Sequence, residues 1–423
     1  METYIAASEV ALVDALSFSS PKIASYVTAR KQVQLSASGG DVYGPSGVGT
    51  NVVRFSLSTS GPFLDLSTLC IMGTIKNRSF DKDLTILGPN FGACITSMRL
   101  MIGGVEVDHV AYSNRTEAML GLMQSHGKQL QTYSEGLGVG LINTNGEILS
   151  DPILKNTSRK CIYKPAVLGC LGQQNYLPVA LTSGGACTLE CTFVSDGASC
   201  CDTTPTNGDK STDWVISGLS VLVDCIQVDS AFLSSLGAHL SGGGALNLAW
   251  KSYSTSFYSI LSQAAQLAHS RSNSRLNSVF FTFLDANREL SDSKECNRFY
   301  MSPTADLKSF MMCGETRYPD SQNNHGLAMH YHRLLHAIGA VNNVAHHTSI
   351  TNKSYKNDKF IGVQDFESLP SAADHSGINT YNSQLSLLFE GLGDPGSVPV
   401  SCYVTSYFDS VLEITANGCT LST

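Results

Sequence analysis

The sequence predicts a mostly β protein made of two successive β-rich units, and three observations say so. From Val33 to Ile414, short runs of β-branched and aromatic residues alternate with Gly, Ser, Asn and Pro, the composition of strands and of the turns that join them. Helical periodicity shows at two places among these runs, one in each half of the chain. The length of 423 residues provides for two or three domains at ~100–200 residues each. So many short strands find a shared core only in sandwiches or barrels. The order strands, helix, strands therefore occurs twice. It is a similarity of order rather than of letters, since no fixed-period repeat is visible.

Residues 1–25 carry Val10, Leu12, Val13 and Leu16 among Ser8, Glu9 and Asp14, and end near Pro21; this short amphipathic stretch reads as an N-terminal arm. In Val52–Leu57, Arg54 and Ser56 alternate with Val53, Phe55 and Leu57, the period of a strand with one buried face. Further strands are expected at Leu69–Ile75, Ser97–Ile102, Ala186–Val194, Val215–Val228, Ser278–Leu284, Gln384–Phe389 and Val398–Ile414. The first helix is expected at Asn114–Met123, with Asn114 as N-cap and Glu117 three residues on, a capping-box arrangement. The second runs from Gly326 to Gly339, where Leu327, Tyr331, Leu334, Leu335 and Ile338 share one stripe and Gly339 supplies the left-handed C-terminal position. Expected core positions are Phe55, Leu57, Leu100, Ile102, Phe281, Phe283, Leu387, Val404 and Leu412.

Composition excludes several classes of function. With 27 Lys+Arg against 35 Asp+Glu, the net charge of -8 has the wrong sign for wrapping nucleic acid through its phosphates. Charged residues are 15% of the chain, below the ~25% of ordinary soluble domains. A surface largely covered by other subunits explains that deficit, although a Ser/Thr-rich surface gives the same arithmetic. The longest apolar run, Gly218–Val228, is broken by Asp224 and falls short of the about 18 residues of a membrane span. The N-terminus, Met1-Glu2-Thr3, lacks the basic and apolar regions of a secretory signal, so synthesis in the cytosol is expected. Thirteen cysteines scattered from Cys70 to Cys419 then read as reduced, buried thiols rather than a disulfide framework. By the same logic the sequons at Asn77, Asn114, Asn156 and Asn352 stay unmodified.

The stretches that might carry chemistry are weak. Gly44-Pro45-Ser46-Gly47-Val48-Gly49-Thr50-Asn51 has the glycine spacing of a phosphate-binding loop, but Thr50 stands where the Lys belongs and a strand follows instead of a helix; it reads as a Gly-rich hairpin loop. His325, His330, His332 and His336, then His346 and His347, form the best metal candidate, since His332 and His336 share a helical face. Arg333 occupies the place where a zinc protease needs Glu. The preferred reading is a polar helix face whose histidines meet solvent or a neighbouring subunit, ahead of a structural or intersubunit metal and of a catalytic one; protonation of the cluster near pH 6 would then alter packing. Cys187 and Cys191 span ~13 Å on a strand, too far for one zinc ion, and read as buried small residues. Cys200-Cys201 reads as part of a polar loop with Asp202, where an intermolecular disulfide formed on exposure to air is the minor alternative. No G-x-S-x-G elbow occurs. The sequence thus assigns no catalytic, cofactor-binding or metal-ligating residue, and no enzyme activity is expected.

Read in order, several phrases resemble one family, the double jelly-roll major capsid proteins of tailless icosahedral DNA viruses, including Polinton-like viruses and virophages, with adenovirus hexon more distant. They begin with Arg30-Lys31, the Gly39-Gly40-Asp41-Val42-Tyr43 turn, the strand Val53-Arg54-Phe55-Ser56-Leu57 and Phe63-Leu64-Asp65-Leu66-Ser67-Thr68-Leu69. They continue through a strand ending in Gly103-Gly104-Val105-Glu106-Val107, a Tyr112-containing helix ending in Met119-Leu120, Leu177-Pro178 and Leu219–Asp229. In the second half they are Ser274–Phe281, Gly377-Ile378-Asn379-Thr380 and Tyr403–Ile414.

The resemblance implies an all-β fold of two tandem eight-stranded jelly-roll β-sandwiches with short helices in loops: an arm at 1–25, a first jelly roll at 26–235 and a second at 236–423. It implies a structural protein that forms pseudo-hexameric homotrimeric capsomers tiling an icosahedral virion shell assembled inside the host cell. Its partners would be other copies of itself, neighbouring trimers, penton and minor capsid proteins, and in some relatives an internal membrane, with no sequence-specific nucleic acid contact and no cofactor. The arm, with Lys22, Arg30 and Lys31, would face inward. The alternative from another class is a carbohydrate-binding or carbohydrate-active β-sandwich, disfavoured because Trp214 and Trp250 are the only tryptophans available as sugar platforms.

Overall fold

The computed structural model describes residues 26–58, 61–142, 148–182, 187–202, 210–285, 307–320, 326–341, 347–357, 359–367, 377–381, 383–392 and 400–423. The expected arm at 1–25, with Lys22, and the residues His325 and His346 lie outside them. Arg30 and Lys31 belong to no arm. They lie within the first strand, where Arg30 is paired with Asp65 at 3.0 Å and Asp224 at 2.7 Å.

The first sandwich uses eight main strands: β1 (Val27–Ser36), β3 (Val52–Ser56), β4 (Phe63–Asn77), β5 (Ile95–Ile102), β6 (Val105–Ala111), β9 (Ser158–Tyr163), β10 (Cys187–Phe193) and β11 (Trp214–Val228). Three short strands, β2 (Val42–Tyr43), β7 (Val139–Ile142) and β8 (Ile148–Ser150), are accessory. The sheet order is β1-β11-β4-β9, facing β3-β10-β5-β6. Two helices, α1 (Ser113–Met123) and α2 (His126–Glu135), follow β6, and α3 (Ser230–Ser241) leads to the second sandwich.

That sandwich contains β12 (Leu246–Ile260), β13 (Ala265–His269), β14 (Leu276–Asp285), β15 (Lys308–Cys313), β16 (Thr316–Tyr318), β17 (Gly362–Asp365), β18 (Leu385–Glu390) and β19 (Val400–Thr415), with β20 (Gly418–Ser422) added to β19. Its sheets run β12-β19-β14-β17 and β13-β18-β15-β16. Numbering the main strands one to eight within each unit gives the same orders twice, 1-8-3-6 facing 2-7-4-5. Helices α4 (Gly326–Ala337) and α5 (Asn352–Asn357) fall between the fifth and sixth strands, where α1 and α2 fall in the first unit. The duplication inferred from element order is thus a duplication of topology.

Alternation makes these sheets. Val53 and Phe55 point into the first core while Arg54 and Ser56 face water, and in β10 every second residue, Cys187, Leu189, Cys191 and Phe193, is buried. All nine expected core positions are buried. The second core centres on aromatic rings: Phe281 lies 5.0 Å from Phe389, and Phe283 stacks on Phe360 at 5.8 Å. Gly362 makes room for this cluster, because a Cβ there would lie 2.1 Å from the Phe281 ring. Leu412 belongs to the other core: with Leu248, Trp250, Ile414 and Cys419 it packs into the first hydrophobic cluster.

Several local expectations need correction. The strand ending at Ile102 does not run on through Gly103 and Gly104; these take φ of 58° and 82° and form the turn into β6. The capping box is absent. Tyr112, at φ 54°, caps α1 without a side-chain bond, Asn114 Oδ1 accepts from the next amide, and half-buried Glu117 accepts from the Tyr163 hydroxyl instead. In α4, Gly339 does adopt the left-handed conformation at φ 71°, and Leu334 is fully buried.

Candidate interface between the two units

The two sandwiches meet where an edge strand of each is covered. β6 ends one sheet of the first unit and β12 ends one sheet of the second; exposed edges invite unwanted pairing unless something covers them. The turn Gly169–Gly172 lies directly on β12, and a Cβ at Gly169 would stand 1.8 Å from the Lys251 carbonyl oxygen. Only glycine permits that approach.

Beside it, the Asp108 carboxylate accepts from the Cys170 amide at 3.1 Å and is also bonded by Ser252 and the Gly169 amide. Burial outweighs these bonds and pushes the Asp108 pKa up to about 7, with Arg271 acting in the opposite sense. Farther along, Thr116 of α1, Thr255 of β12 and Thr405 of β19 form a chain of buried hydroxyls at 2.6 and 2.9 Å. Thr255 is 4% exposed. The Tyr112 ring lies 5.4 Å from Tyr403 and 6.1 Å from Phe257, and the Arg115 guanidinium covers Tyr403 at 5.8 Å.

A third patch joins the connections that follow the fifth strands. The Ser349 amide donates to the Gln124 carbonyl at 3.0 Å, and the Gln129 side-chain amide donates to Ser349 Oγ at 2.8 Å and to the Gly121 carbonyl at 2.7 Å. Met119 of α1 completes the second core. Glu117, two residues earlier and so on the opposite side of the helix, points back into its own unit. It accepts from the Tyr163 hydroxyl at 2.8 Å, and burial pushes its pKa up to about 7. Apolar seams, aromatic contacts and satisfied buried polar groups together make this a permanent joint.

The candidate stretches of the sequence fall elsewhere. The Gly44–Asn51 segment is a closed loop, with the Gly44 amide donating to Thr50 and the Thr50 amide to Val42, both at 3.2 Å. His332 and His336 are exposed on α4, as expected, but His330 is buried, 3.4 Å from Ser309 Oγ and against the Phe281 and Phe360 rings. Burial lowers its pKa to about 4, so this residue does not titrate near pH 6. Among the described residues, no three His, Cys, Asp or Glu side chains gather as a metal site.

Cys187 and Cys191 are both buried. The reading of Cys200-Cys201 as part of a polar loop needs correction: both thiols are buried, Cys200 Sγ lies 3.5 Å from Cys94 Sγ, and Cys201 donates to the Gly197 carbonyl. Trp214 and Trp250 are buried as well, with their indole N–H groups bonded to the Gly197 carbonyl and to Ser252. Asp108, Gly169, Thr116 and Thr255 escaped the sequence reading, because each gains its meaning only from a partner far along the chain.

Two antiparallel sandwiches, each with strands ordered 1-8-3-6 over 2-7-4-5, define the class: the chain is a double jelly roll. Its fold is similar to PBCV-1 VP54 as fitted into a cryo-EM reconstruction of the virophage Sputnik, with TM-score 0.61 and 11% identity over 96% of this chain and all (100%) of that one. It is also similar to the Faustovirus major capsid protein, with TM-score 0.56 and 8% identity over 95% of this chain and 93% of that one. The Sputnik virophage structure solved by cryo-EM gives TM-score 0.57 and 8% identity over 95% and 89%. No protein-family model and no curated protein matches the sequence.

Proposed function

We propose that this chain is a major capsid protein, a structural subunit whose three copies form a pseudo-hexameric capsomer of an icosahedral virion shell. The observation that carries the reading is the joint itself. Each unit has one face built from its fifth strand and following helix and another along its first strand; inside the chain one of each is used, and one of each is left over. Faces of two different kinds join head to tail, and such contacts either close into a ring or grow without end. Three chains of two units give six jelly rolls, the footprint that fits a six-coordinated lattice position. The likeness of fold to capsid proteins of PBCV-1, Faustovirus and Sputnik supports the same reading.

On this reading the chain divides at 26–235 and 236–423, with the boundary inside the connecting helix. The partners are other copies of the chain, then neighbouring trimers, with penton and minor capsid proteins completing the shell, and the protein ends up in the virion without catalytic function. The carbohydrate reading gains nothing from the two buried tryptophans. The test is the mass of the purified protein by light scattering: about three times the 45.2 kDa chain supports the capsomer, and a monomer at micromolar concentration overturns it.

A further inference from the structure

We propose that Cys94 and Cys200 are a cross-linking site, two buried thiols of the first jelly roll that join as a disulfide when the folded chain meets a peroxide. Cys94 ends the turn Phe91–Cys94, which leads from β4 to β5, and Cys200 ends the turn Gly197–Cys200, on the way from β10 to β11. Each of these connections crosses from one sheet of the sandwich to the other. They meet in the interior, where Cys200 Sγ lies 3.5 Å from Cys94 Sγ and both side chains are buried.

The backbone around the pair is already pinned. The Val194 amide donates to the Cys94 carbonyl at 2.9 Å, and the Leu87 amide donates to the Cys200 carbonyl at 2.8 Å. Bonds that oxidation leaves intact therefore hold the two sulfurs within reach, and a disulfide at ~2.05 Å asks them to approach by only about 1.5 Å. Cys201 Sγ is the competing partner, 4.0 Å from Cys200 Sγ. Its thiol is turned to the Gly197 carbonyl at 3.1 Å, and a bond between neighbours in sequence would tie nothing together. The bond from Cys94 to Cys200 spans 106 residues and so restricts the unfolded chain strongly.

Hydrogen peroxide is small enough to reach sulfurs that a protein oxidant cannot touch. It oxidises the Cys200 thiol to a sulfenic acid and is itself reduced to water. The Cys94 sulfur then attacks the Cys200 sulfur, the S–S bond forms as the S–O bond breaks, and the departing hydroxide takes the Cys94 proton as a second water. Reducing compartments keep such thiols apart, so the link forms after folding, in chains that have left a reducing environment.

The test uses the full chain, purified under reductant, freed of it, treated with hydrogen peroxide, alkylated and then cleaved before aspartate without reduction. The expected product joins residues 83–107 to residues 196–201, is two hydrogens lighter than the separate peptides, and disappears on reduction. Cys201→Ala keeps the link and Cys200→Ala loses it. Oxidation raises the melting temperature by about 5 °C or more, and dithiothreitol reverses the rise. A bond to Cys201, sulfinic acids without a link, or a link that forms only in denaturant overturns the assignment. The wild-type peptide map decides the matter even where Cys200→Ala fails to fold, and every outcome leaves the capsomer reading untouched.

Discussion

β12 and β1 occupy the same position in sheets of the same order, yet one is buried under a helix and the other faces water. The difference lies in their residues. β12 carries Trp250 and Thr255, which are buried, and Tyr253, which is half-buried, side chains that pack or pair hydroxyls across the joint, while β1 carries Arg30, Lys31, Gln32 and Gln34. The helices differ in the same sense: α1 buries Thr116 and Met119 and contributes to the partner core, whereas α4 keeps His332 and His336 in solvent. Identical topology thus leaves open which faces are joined for good, and composition decides it.

The most severe way to break this comparison is to force the joint apart. Gly169→Ala places a methyl group inside the Lys251 carbonyl, and we expect a loss of about 3 kcal/mol. Gly172→Ala, three residues on with open space around it, is the control and should be almost silent; equal effects in thermal melts would contradict the close contact. Next come the cores. Phe281→Ala should cost about 3–5 kcal/mol and Leu412→Ala about 2–5 kcal/mol. Because Leu412 packs into the first cluster from a strand of the second unit, its loss should weaken protection from hydrogen exchange in both units, whereas Phe281→Ala should act mainly on the second.

A subtler contrast is electrostatic. Asp108 and Glu117 have folded pKa values raised to about 7. Folding therefore takes up protons between the ordinary carboxylate range and about 7, and their contribution, complete below pH ~4, is lost as pH rises through ~7, at about 1.4 kcal/mol per pH unit per group. His330 and His269, lowered to about 4 by burial, act the other way: their contribution is complete above ~6.5 and lost as pH falls toward ~4. Asp108→Asn should remove about half of the first slope in denaturant titrations from pH 4 to 8, leaving the part due to Glu117, and His330→Gln part of the second. No change of slope in Asp108→Asn would mean that Asp108 is ionised in the fold. The smallest effect belongs to Thr116→Val, about 1 kcal/mol, since Thr255 keeps its bond to Thr405.

Strands with one apolar face could be read directly from the sequence, as Val53 and Phe55, Leu100 and Ile102, or Leu385 and Leu387 show. Strands serving the joint could not. The Ser- and Thr-rich β12 looks like loop when its partners are unknown, because its hydroxyls are satisfied by Thr116, Thr405 and Ser410 from distant segments. Asn114 and Glu117 satisfied the pattern of a cap, but Glu117 is claimed by Tyr163. Cys200-Cys201 sat among polar letters, yet the Gly197–Cys200 turn folds both thiols inward beneath Trp214. Local periodicity reports burial within one sheet; it is blind to what another unit covers.

Whether three chains close into a ring is tested by two-dimensional class averages of the purified particle viewed along its symmetry axis. Six lobes of similar size in a closed ring are expected, three within-chain joints alternating with three between-chain contacts. Separate pairs of lobes, or a ring with another number, would contradict that closure.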